Sequence, residues 1–401
     1  MVFIRLSPKL HWRLKILVLA PQPFYQERGT PIAVRLLLEA LSKIPDLEVH
    51  LLTYFEGEDI AVPGVHHRSW APSFLYGVKP GISLKKLLLD LFFLFSAIKI
   101  FIKQRPDVLH CIEEACFMSA ILKPLHKTNF VFDMDSRVVE QAVTRWRLLG
   151  FVRFFLEGIE KYSIKNALAV VGVCPALVEY AKKCGAKNTF LLTDISLLES
   201  PSGKTEIRES LDLDKSKKIV LYVGNLEEYQ GIDLLLESAK IVTNHSPNVH
   251  FVLIGGRNDH ISHYREITFS LEISQNVHFL GPRPSSSLAD YFLEVDVVAS
   301  PRISGENTPM KLYSYLDSGK PLVATKIESH TQIVTDKECY LGDPTPKDFA
   351  NAIMDALNDK DKAQVAKELV ARKYSREAFF KNVKIIYEEI ITWVGRPDPQ
   401  V

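Results

Sequence analysis

Short apolar runs alternate along the chain with longer segments in which apolar residues recur at helical spacing. The run Lys15–Ala20 predicts a buried strand, and the segment Ile32–Ser42 after it predicts an amphipathic helix. The same pattern predicts further strands at 48–53, 107–111, 129–133 and 168–173. Because these runs are apolar on both faces, they indicate a parallel sheet covered by helices on each side.

The alternation restarts after a polar stretch around residues 199–216. Strand Lys218–Val223 precedes a helix at Ile232–Thr243, and further strands are predicted at 249–254, 276–280, 296–300 and 321–325. Two such series predict an α/β protein with two Rossmann-like, doubly wound domains. We expect these domains at 1–196 and 197–375, with a C-terminal helical segment, 376–401, that crosses back onto the first domain. Ligands of doubly wound sheets bind beyond the carboxyl ends of the strands, so the predicted site is an interdomain cleft.

Composition narrows the class of function. The 401 residues are 47% hydrophobic, which excludes a disordered chain. Lys plus Arg (49) nearly balances Asp plus Glu (48), so the basic footprint of a nucleic-acid-binding protein is missing. The five cysteines show no CxxC spacing, and no histidine pattern is typical of a metal site. We therefore expect reduced thiols, no bound metal and a cytoplasmic location.

The most hydrophobic segment, 87–102, has two interpretations. It is shorter than the roughly 20 residues of a membrane span, and it contains Asp90 and Lys99. It is either a helix buried in the domain core or a helix lying at the membrane interface, with the basic residues at its ends contacting lipid headgroups. The first fifteen residues have no secretory pattern and carry further basic residues. In the second interpretation the protein contacts the inner face of the membrane.

Three glycine-containing loops after predicted strands are candidate ligand loops. In the first domain, Gly29 and Thr30 precede a helix predicted to begin at Pro31, and the N–H groups of a helix start bind phosphate or hydroxyl oxygens. An ordinary strand-to-helix turn explains this loop equally well. The chain has no GxGxxG motif after a strand, which disfavours a dinucleotide site. The loops of the second domain contain Gly224, Asn225, Gln230, Gly255, Gly256 and Arg257.

The block SPRISGENTPMKLYSYLDSGKPLVAT, residues 300–325, contains the strongest candidate site. Pro309 is predicted to open a helix that Gly319 ends. Asn307 or Thr308 is expected to cap this helix. The polar and charged residues around the helix start are Arg302, Glu306, Asn307, Thr308 and Lys311. Two cations at a helix N-terminus predict an anion-binding site.

These motifs together resemble the large retaining family 4 of GT-B glycosyltransferases, of the bacterial group 1-like type. RGTPIAVRLLLEALSK, VCPALVEYAKK and the 300–325 block are similar to the first-domain loop, junction helix and second-domain signature of the family, and the likeness extends over roughly residues 15–395. The resemblance implies a GT-B fold and hexosyltransferase-like transfer that is retaining and independent of metal and cofactor. The substrates would be a nucleotide-sugar, bound mainly by the second domain, and a carbohydrate or lipid-linked acceptor, bound mainly by the first.

The signature block departs from the family in places. Many members carry two glutamates there, and counting from Gly319 these positions fall on Glu306 and Ser314, whereas counting from Pro309 puts the second on Leu312. With the first count, the resemblance implies that Glu306 is a buried acid contacting sugar hydroxyls and that Ser314 stands at the ribose. Two positions that are usually Arg and Lys phosphate partners are occupied by Asn225 and Gln230. The expected donor-binding residues are Gly29, Thr30, Gly224, Asn225, Gln230, Gly255, Gly256, Arg257, Asn307, Thr308, Pro309 and Ser314.

In the first domain, LHCIEEACF (109–117) and FDMDSR (132–137) end two predicted strands. Asp135 stands where many family members have a histidine, and it joins the candidate catalytic residues Arg302, Glu306 and Lys311. Glu113, Glu114 and Ser136 are the candidate acceptor-binding residues. A strand-end acid that caps the next helix is the simpler alternative for each carboxylate.

Two other functions fit the same fold. A nucleotide-sugar 2-epimerase would need acids and a histidine for elimination and re-addition, and the signature block disfavours it. A non-catalytic GT-B subunit that docks a partner at the membrane is favoured by the missing Arg, Lys and Glu. The retained Glu306, Lys311 and Arg302 oppose that interpretation.

Overall fold

The structure is a computed structural model that describes residues 13–26, 29–78, 83–145, 151–204, 207–359 and 361–395. The chain divides into two compact units. The first unit comprises residues 1–192 and 380–401, and the second comprises residues 193–379.

Within the described residues, the first unit has a parallel sheet of seven strands. They are β1 (Leu14–Ala20), β2 (Leu47–Thr53), β3 (Val65–Arg68), β4 (Val108–Ile112), β5 (Asn129–Met134), β6 (Ala169–Gly172) and β7 (Thr189–Leu191). Their order is β3-β2-β1-β4-β5-β6-β7. The direction of chain progression reverses between β1 and β4, so the topological switch point lies at the carboxyl ends of these two strands.

Helices connect these strands and bury the sheet between them. They are α1 (Gly29–Leu41), α2 (Leu84–Gln104), α3 (Ala115–His126), α4 (Val138–Arg145), α5 (Arg153–Asn166) and α6 (Pro175–Lys183). Helix α2 begins where the Ser83 side chain accepts a hydrogen bond from the Lys86 N–H, and it ends at Arg105, which has a positive φ. All side chains of β4 are buried, as expected for a central parallel strand.

The second unit repeats this plan. Its strands are β8 (Lys218–Val223), β9 (Val249–Ile254), β10 (Val277–Gly281), β11 (Val297–Ser300), β12 (Leu322–Thr325) and β13 (Tyr340–Gly342). The described strands follow the order β10-β9-β8-β11-β12-β13, all parallel. The switch point therefore lies at the carboxyl ends of β8 and β11.

The helices of the second unit are α7 (Ile207–Ser210), α8 (Ile232–His245), α9 (Asn258–Ser270), α10 (Leu288–Glu294), α11 (Met310–Asp317), α12 (Glu328–Thr331), α13 (Pro346–Asn358) and α14 (Asp361–Lys373). The last helix, α15 (Arg376–Val394), belongs to the first unit from Phe380 onward. There Tyr387 is buried and hydrogen-bonded to His110 of β4.

The predicted α/β fold is confirmed, and each predicted strand is present within one or two residues. Strands β3, β7 and β13 were not predicted: β7 and β13 have only three residues each, and three of the four residues of β3 are polar. The apolar segment 87–102 lies in α2, which buries Leu89, Phe93 and Ala97. Among the described residues, no helix has the length and apolarity needed to cross a membrane.

Candidate functional site

The loops that follow β8 and β11 pack against each other at the switch point of the second sheet. Gly231 has φ +71°, and a Cβ atom there would lie 2.0 Å from the Pro301 carbonyl oxygen. A side chain at this position would therefore separate the two loops. The close approach brings Gln230 of the first loop next to Lys311, which follows the second.

Lys311 is the second residue of α11 and has no acidic partner among the described residues. Its Nζ atom lies 2.9 Å from the amide oxygen of Gln230 and 4.0 Å from the ring centroid of Tyr222. Desolvation, and then the charge of Arg302, lower the pKa of Lys311 well below the ordinary lysine value. A desolvated ammonium without a counter-ion is stabilised when an anion binds beside it.

Arg302 is the second cation of this loop and is 7% exposed. Its Nε donates to the Ser304 carbonyl oxygen over 2.7 Å, and its Nη2 donates to Asn307 Oδ1 over 3.1 Å. Its guanidinium carbon lies 5.3 Å from the ring centroid of Tyr229. In the part of the chain that the structure describes, Arg302 forms no ion pair with a carboxylate. These contacts fix the orientation of the guanidinium without neutralising it.

The prediction that Asn307 or Thr308 caps α11 is wrong. Asn307 Oδ1 accepts from Arg302, and Thr308 Oγ1 accepts from Gln332 Nε2 over 2.8 Å. The helix begins after Pro309 with no side-chain cap. Since no side chain caps it, the positive end of the helix dipole adds to the charges of Arg302 and Lys311.

The buried side chain of His330 forms hydrogen bonds that support the loop between β11 and α11. His330 Nδ1 lies 2.9 Å from the Thr325 carbonyl oxygen, and its Nε2 lies 3.0 Å from Ser300 Oγ. Burial lowers the pKa of His330 to about 4, so the ring is neutral near pH 7. A carbonyl can only accept, so Nδ1 carries the hydrogen and Nε2 accepts from Ser300. The Thr325 hydroxyl in turn donates to the backbone oxygen of Arg302, which links His330 to the position of that cation.

Glu306 and Ser314 differ in burial. The prediction that Glu306 is buried is wrong. Glu306 is exposed, on the bend before α11. Its backbone oxygen accepts from Gln332 Nε2 over 2.9 Å, which holds the bend near Thr308. Ser314 is buried on α11.

The loop after β9 contains two closely packed glycines and an arginine that is paired with carboxylates. The Gly255 N–H donates to the Gly281 oxygen over 2.8 Å, and Gly256 follows it beside Leu226. Arg257 is exposed and forms ion pairs with Asp259 at 3.0 Å and with Glu227 at 3.2 Å. Arg257 is thus neutralised, unlike Lys311.

The loop after β8 carries Asn225 rather than a cation. Gly224 continues the strand by donating to the Ile254 oxygen over 2.9 Å. The Asn225 side chain donates to the Tyr229 hydroxyl over 3.3 Å, and Tyr229 lies beside Arg302. The uncharged Asn225 and the Arg302 guanidinium therefore both contact Tyr229, the first at its hydroxyl and the second at its ring.

In the first unit, the loops after β4 and β5 meet through Glu113 and Ser136. The Ser136 hydroxyl donates to Glu113 Oε1 over 2.7 Å, and Glu113 adopts a positive φ of 47°. Glu114 forms an ion pair with Lys86 of α2. Asp135 is half-buried beside Ser136 on the same loop. The structure therefore brings the candidate acceptor-binding residues to one edge of the first sheet.

A hydrogen-bonded chain that sequence reasoning missed lies behind these loops. His110 Nε2 lies 3.0 Å from Asp133 Oδ2, and His110 Nδ1 lies 2.8 Å from the Tyr387 hydroxyl. Desolvation raises the pKa of Tyr387 well above its ordinary value, so the phenol stays protonated. The chain ties α15 to the ends of β4 and β5.

At the other side of this switch point, Gly29 and Thr30 open α1. The helix starts two residues earlier than the predicted start at Pro31, which is buried in its first turn. Glu27 and Arg28 lie outside the described residues.

Comparison with known proteins gives a family match for most of the second unit. Residues 203–373 match the family described as "Glycosyl transferases group 1". A D-inositol 3-phosphate glycosyltransferase of Corynebacterium diphtheriae is 28% identical over 38% of this chain and 37% of its own length. A lipopolysaccharide 1,2-N-acetylglucosaminetransferase of Salmonella typhimurium is 27% identical over 46% of this chain and 50% of its own. The chain thus spans half the length of these relatives or less.

Solved structures match almost the whole chain. A sucrose-phosphate synthase of Thermosynechococcus elongatus superposes with a TM-score of 0.75 at 20% identity, over 95% of this chain and all of that one. The Anabaena protein Alr3699/HepE superposes with a TM-score of 0.71 at 17% identity, over 94% and 100%. The chain has the GT-B fold.

The family match includes the switch point of only one of the two sheets of this GT-B protein. The matched family range contains Arg302, Lys311 and His330. Glu113 and Ser136 lie outside it. The described residues contain no group of three His, Cys, Asp or Glu side chains arranged to hold a metal ion.

Proposed function

We propose that this protein is a glycosyltransferase that moves a sugar from a nucleotide-sugar to a carbohydrate or lipid-linked acceptor. The observation that carries the proposal is the pair of cations, Lys311 and Arg302, which lack acidic partners among the described residues and flank the start of α11. They lie at the switch point of the domain that matches glycosyl transferases group 1.

The second unit, proposed as domain 197–375, binds the donor. Lys311, Arg302 and the N–H groups at the start of α11 contact the diphosphate, together with Asn307, Thr308 and Pro309. Ser314 faces the ribose, and Glu306 contacts sugar hydroxyls from its exposed bend. Gly224, Asn225, Gln230, Gly255 and Gly256 line the donor, and Gly29 and Thr30 remain further candidate donor-binding residues. The neighbour Alr3699/HepE is described in complexes with UDP and with UDP-glucose, which supports a nucleotide-sugar as the donor class.

The first unit, proposed as domain 1–196, binds the acceptor. Glu113, Glu114 and Ser136 accept or donate hydrogen bonds with acceptor hydroxyls, and Asp135 orients the reacting hydroxyl. The Ser136–Glu113 hydrogen bond preorganises both side chains. The C-terminal segment 376–401 stabilises this edge through Tyr387 and His110.

The transfer is retaining and needs no metal. The bond between the anomeric carbon and the diphosphate oxygen breaks while a bond to the acceptor oxygen forms on the same face. The proton of the acceptor hydroxyl goes to the departing phosphate oxygen. Lys311, Arg302 and the helix dipole stabilise the negative charge that develops on the diphosphate, a role that a metal ion has in other enzymes. The protein acts in the cytoplasm, in peripheral contact with a membrane.

A non-catalytic GT-B subunit is the second candidate. It is favoured by one observation, the neutral Gln230 whose amide oxygen accepts from Lys311. An enzyme with the usual basic residue there would present one more charge to the diphosphate.

The test is release of nucleoside diphosphate from a panel of UDP-, GDP- and ADP-sugars, with and without glycan and lipid acceptors and with and without a chelator. We expect one donor to be used, chelator to have no effect, and the product to keep the anomeric configuration by NMR. Nucleotide binding without turnover on any donor and acceptor would favour the non-catalytic subunit. Absence of both binding and turnover would contradict the proposal.

A further inference from the structure

The outer face of α2 is mostly apolar, with exposed Lys99 and Lys103 near its C-terminal end. Six large side chains on this face are between 44% and 69% exposed: Leu84, Leu87, Leu88, Leu91, Phe95 and Ile102. Their spacing of three, four and seven residues puts them on one side of the helix. The opposite side is packed into the core through Leu89, Phe93 and Ala97. A helix of this length on a protein surface ordinarily has a polar outer face.

Two further groups of exposed aromatic residues belong to the first unit, and one of them contacts α2 through Trp70 and Phe92, whose ring centroids are 5.4 Å apart. Phe151, Phe154 and Phe155, at the start of α5, are 91%, 90% and 67% exposed. The connection from β3 to α2 exposes Trp70, Phe74 and Tyr76 at 68% to 72%. Scattered exposed apolar residues are normal on a protein surface, but six of them on one helix face are not.

These groups share one side of the first unit. Helices α2 and α5 pack on the same face of the sheet, because Leu89 and Phe93 of α2 belong to one core cluster with Ile164 of α5. Helix α4 follows β5 and so begins at the carboxyl edge of the sheet, and the start of α5 lies beside it, where Arg153 pairs with Glu140 at 2.7 Å. That edge also carries Glu113 and Ser136, and the ion pair of Lys86 with Glu114 joins it to α2.

The segment around α2 has an excess of basic residues, of which Arg68 and Lys86 pair with Asp59 and Glu114. Residues 68–105 include seven Lys or Arg and a single acid, Asp90. Asp90 adds little negative charge to the surface, since it is half-buried, accepts a hydrogen bond from Tyr54, and has its pKa raised by burial. Lys99, Lys103 and Arg105 are exposed. An apolar stripe with basic and aromatic flanks complements an anionic bilayer surface better than it complements a protein.

We propose that the outer faces of α2 and of the start of α5, with Trp70, Phe74 and Tyr76, form a lipid-docking face that binds the surface of an anionic bilayer. The helix lies in the plane of the interface, with its apolar stripe among the acyl chains and its lysines at the headgroups. This inference does not depend on the proposed glycosyl transfer. It would bring the edge with Glu113 and Ser136 close to lipid headgroups.

The experiment measures co-sedimentation of the full chain with vesicles of phosphatidylcholine alone or with added phosphatidylglycerol, at low and high salt. The test variant is Phe151→Ser/Phe154→Ser. The matched control is Phe269→Ser, which changes a side chain that is 80% exposed in the second unit. Because both variants alter exposed residues, we expect the fold to be kept. Thermal melting of each variant verifies this. A second variant, Lys99→Ala/Lys103→Ala, tests the electrostatic contribution.

We expect binding to the anionic vesicles that weakens in high salt and falls at least about tenfold in Phe151→Ser/Phe154→Ser, since two aromatic side chains no longer enter the interface. Phe269→Ser should bind as the wild type does, and Lys99→Ala/Lys103→Ala should bind more weakly at low salt only. No binding to anionic vesicles at low salt, or full binding by the Phe151→Ser/Phe154→Ser variant, would overturn the proposal. A concentration-dependent dimer that this variant abolishes, without vesicle binding, would assign the face to a second copy of the chain.

Discussion

The two sheets have the same strand order around their switch points, yet the side chains at these points differ in kind. In the second unit Lys311 and Arg302 have no ion-pair partner among the described residues, and Lys311 has a strongly lowered pKa. In the first unit Glu113 already accepts from Ser136, and Glu114 is paired with Lys86. The topology determines where a ligand binds, whereas the charges determine which ligand.

The difference also shows in the supporting contacts. In the second unit neutral groups fix the cations: Asn307 and Ser304 hold Arg302, and Gln230 holds Lys311. In the first unit acids bind hydroxyl and imidazole groups, as Asp133 does with His110. A strong anion should therefore bind the second unit, and a neutral polyhydroxyl ligand should suit the first.

The largest expected effect comes from removing the unpaired lysine. Lys311→Ala should lower turnover by on the order of 10²–10³, because one charge that stabilises the departing diphosphate is lost. The control is Lys337→Ala, which removes an exposed lysine of the same unit. Steady-state kinetics at saturating donor measure the effect. Near-normal turnover of the variant would show that Lys311 does not contact the diphosphate.

The second effect concerns the histidine beneath Arg302. The ordinary imidazole pKa of 6.5 falls to about 4 for buried His330, so the unfolded state binds this proton at a higher pH than the folded state does. The free energy of unfolding should therefore decrease as pH is lowered from about 6.5 to about 4, by at most about 3 kcal/mol from this residue.

Urea unfolding at pH 7 and at pH 4.5 measures this decrease. His330→Asn should remove much of it while leaving the contribution of His278, whose pKa burial also lowers to about 4. If the variant and the wild type lose the same free energy between the two pH values, the folded protein does not hold His330 in the neutral form.

The third effect separates the sugar from the nucleotide. Glu306→Gln should reduce use of the cognate nucleotide-sugar about tenfold, since hydrogen bonds to a charged acceptor are stronger than those to an amide. Binding of the free nucleoside diphosphate should change little. Calorimetry measures the affinity for both ligands. Equal losses of affinity would show that Glu306 acts on the phosphates and not on the sugar.

The smallest effect tests the first unit. Ser136→Ala removes the hydroxyl that donates to Glu113, and we expect the KM for the acceptor to rise by up to about fivefold. Donor affinity should stay unchanged. If the donor affinity fell while the KM for the acceptor stayed the same, Ser136 would contact the donor. This result would contradict the contrast between the two units.

The sequence predicted what depends on local pattern. The buried strands are apolar runs, and Gly319 follows α11 with φ +70° as a helix stop requires. The cap of α11 was mispredicted because Arg302 and Gln332 compete for Asn307 and Thr308. This competition depends on tertiary contacts that no local pattern contains.

Two supporting histidines were missed for a related reason. His330 is 30 residues from Ser300, and His110 is 277 residues from Tyr387. A hydrogen bond between such distant residues leaves no spacing in the sequence. The burial of Glu306 was mispredicted because the resemblance gave the residue type at that position and not the direction of the bend that holds it.

The central claim, that the second unit is a diphosphate site built on an unpaired lysine, is tested most directly by calorimetric titration of UDP, GDP and ADP beside their nucleosides. The account predicts that one diphosphate binds the wild type at least about tenfold more tightly than its nucleoside, and that Lys311→Ala loses most of this difference. Equal affinity of the diphosphate and its nucleoside for the wild type, or an unchanged difference in Lys311→Ala, would contradict it.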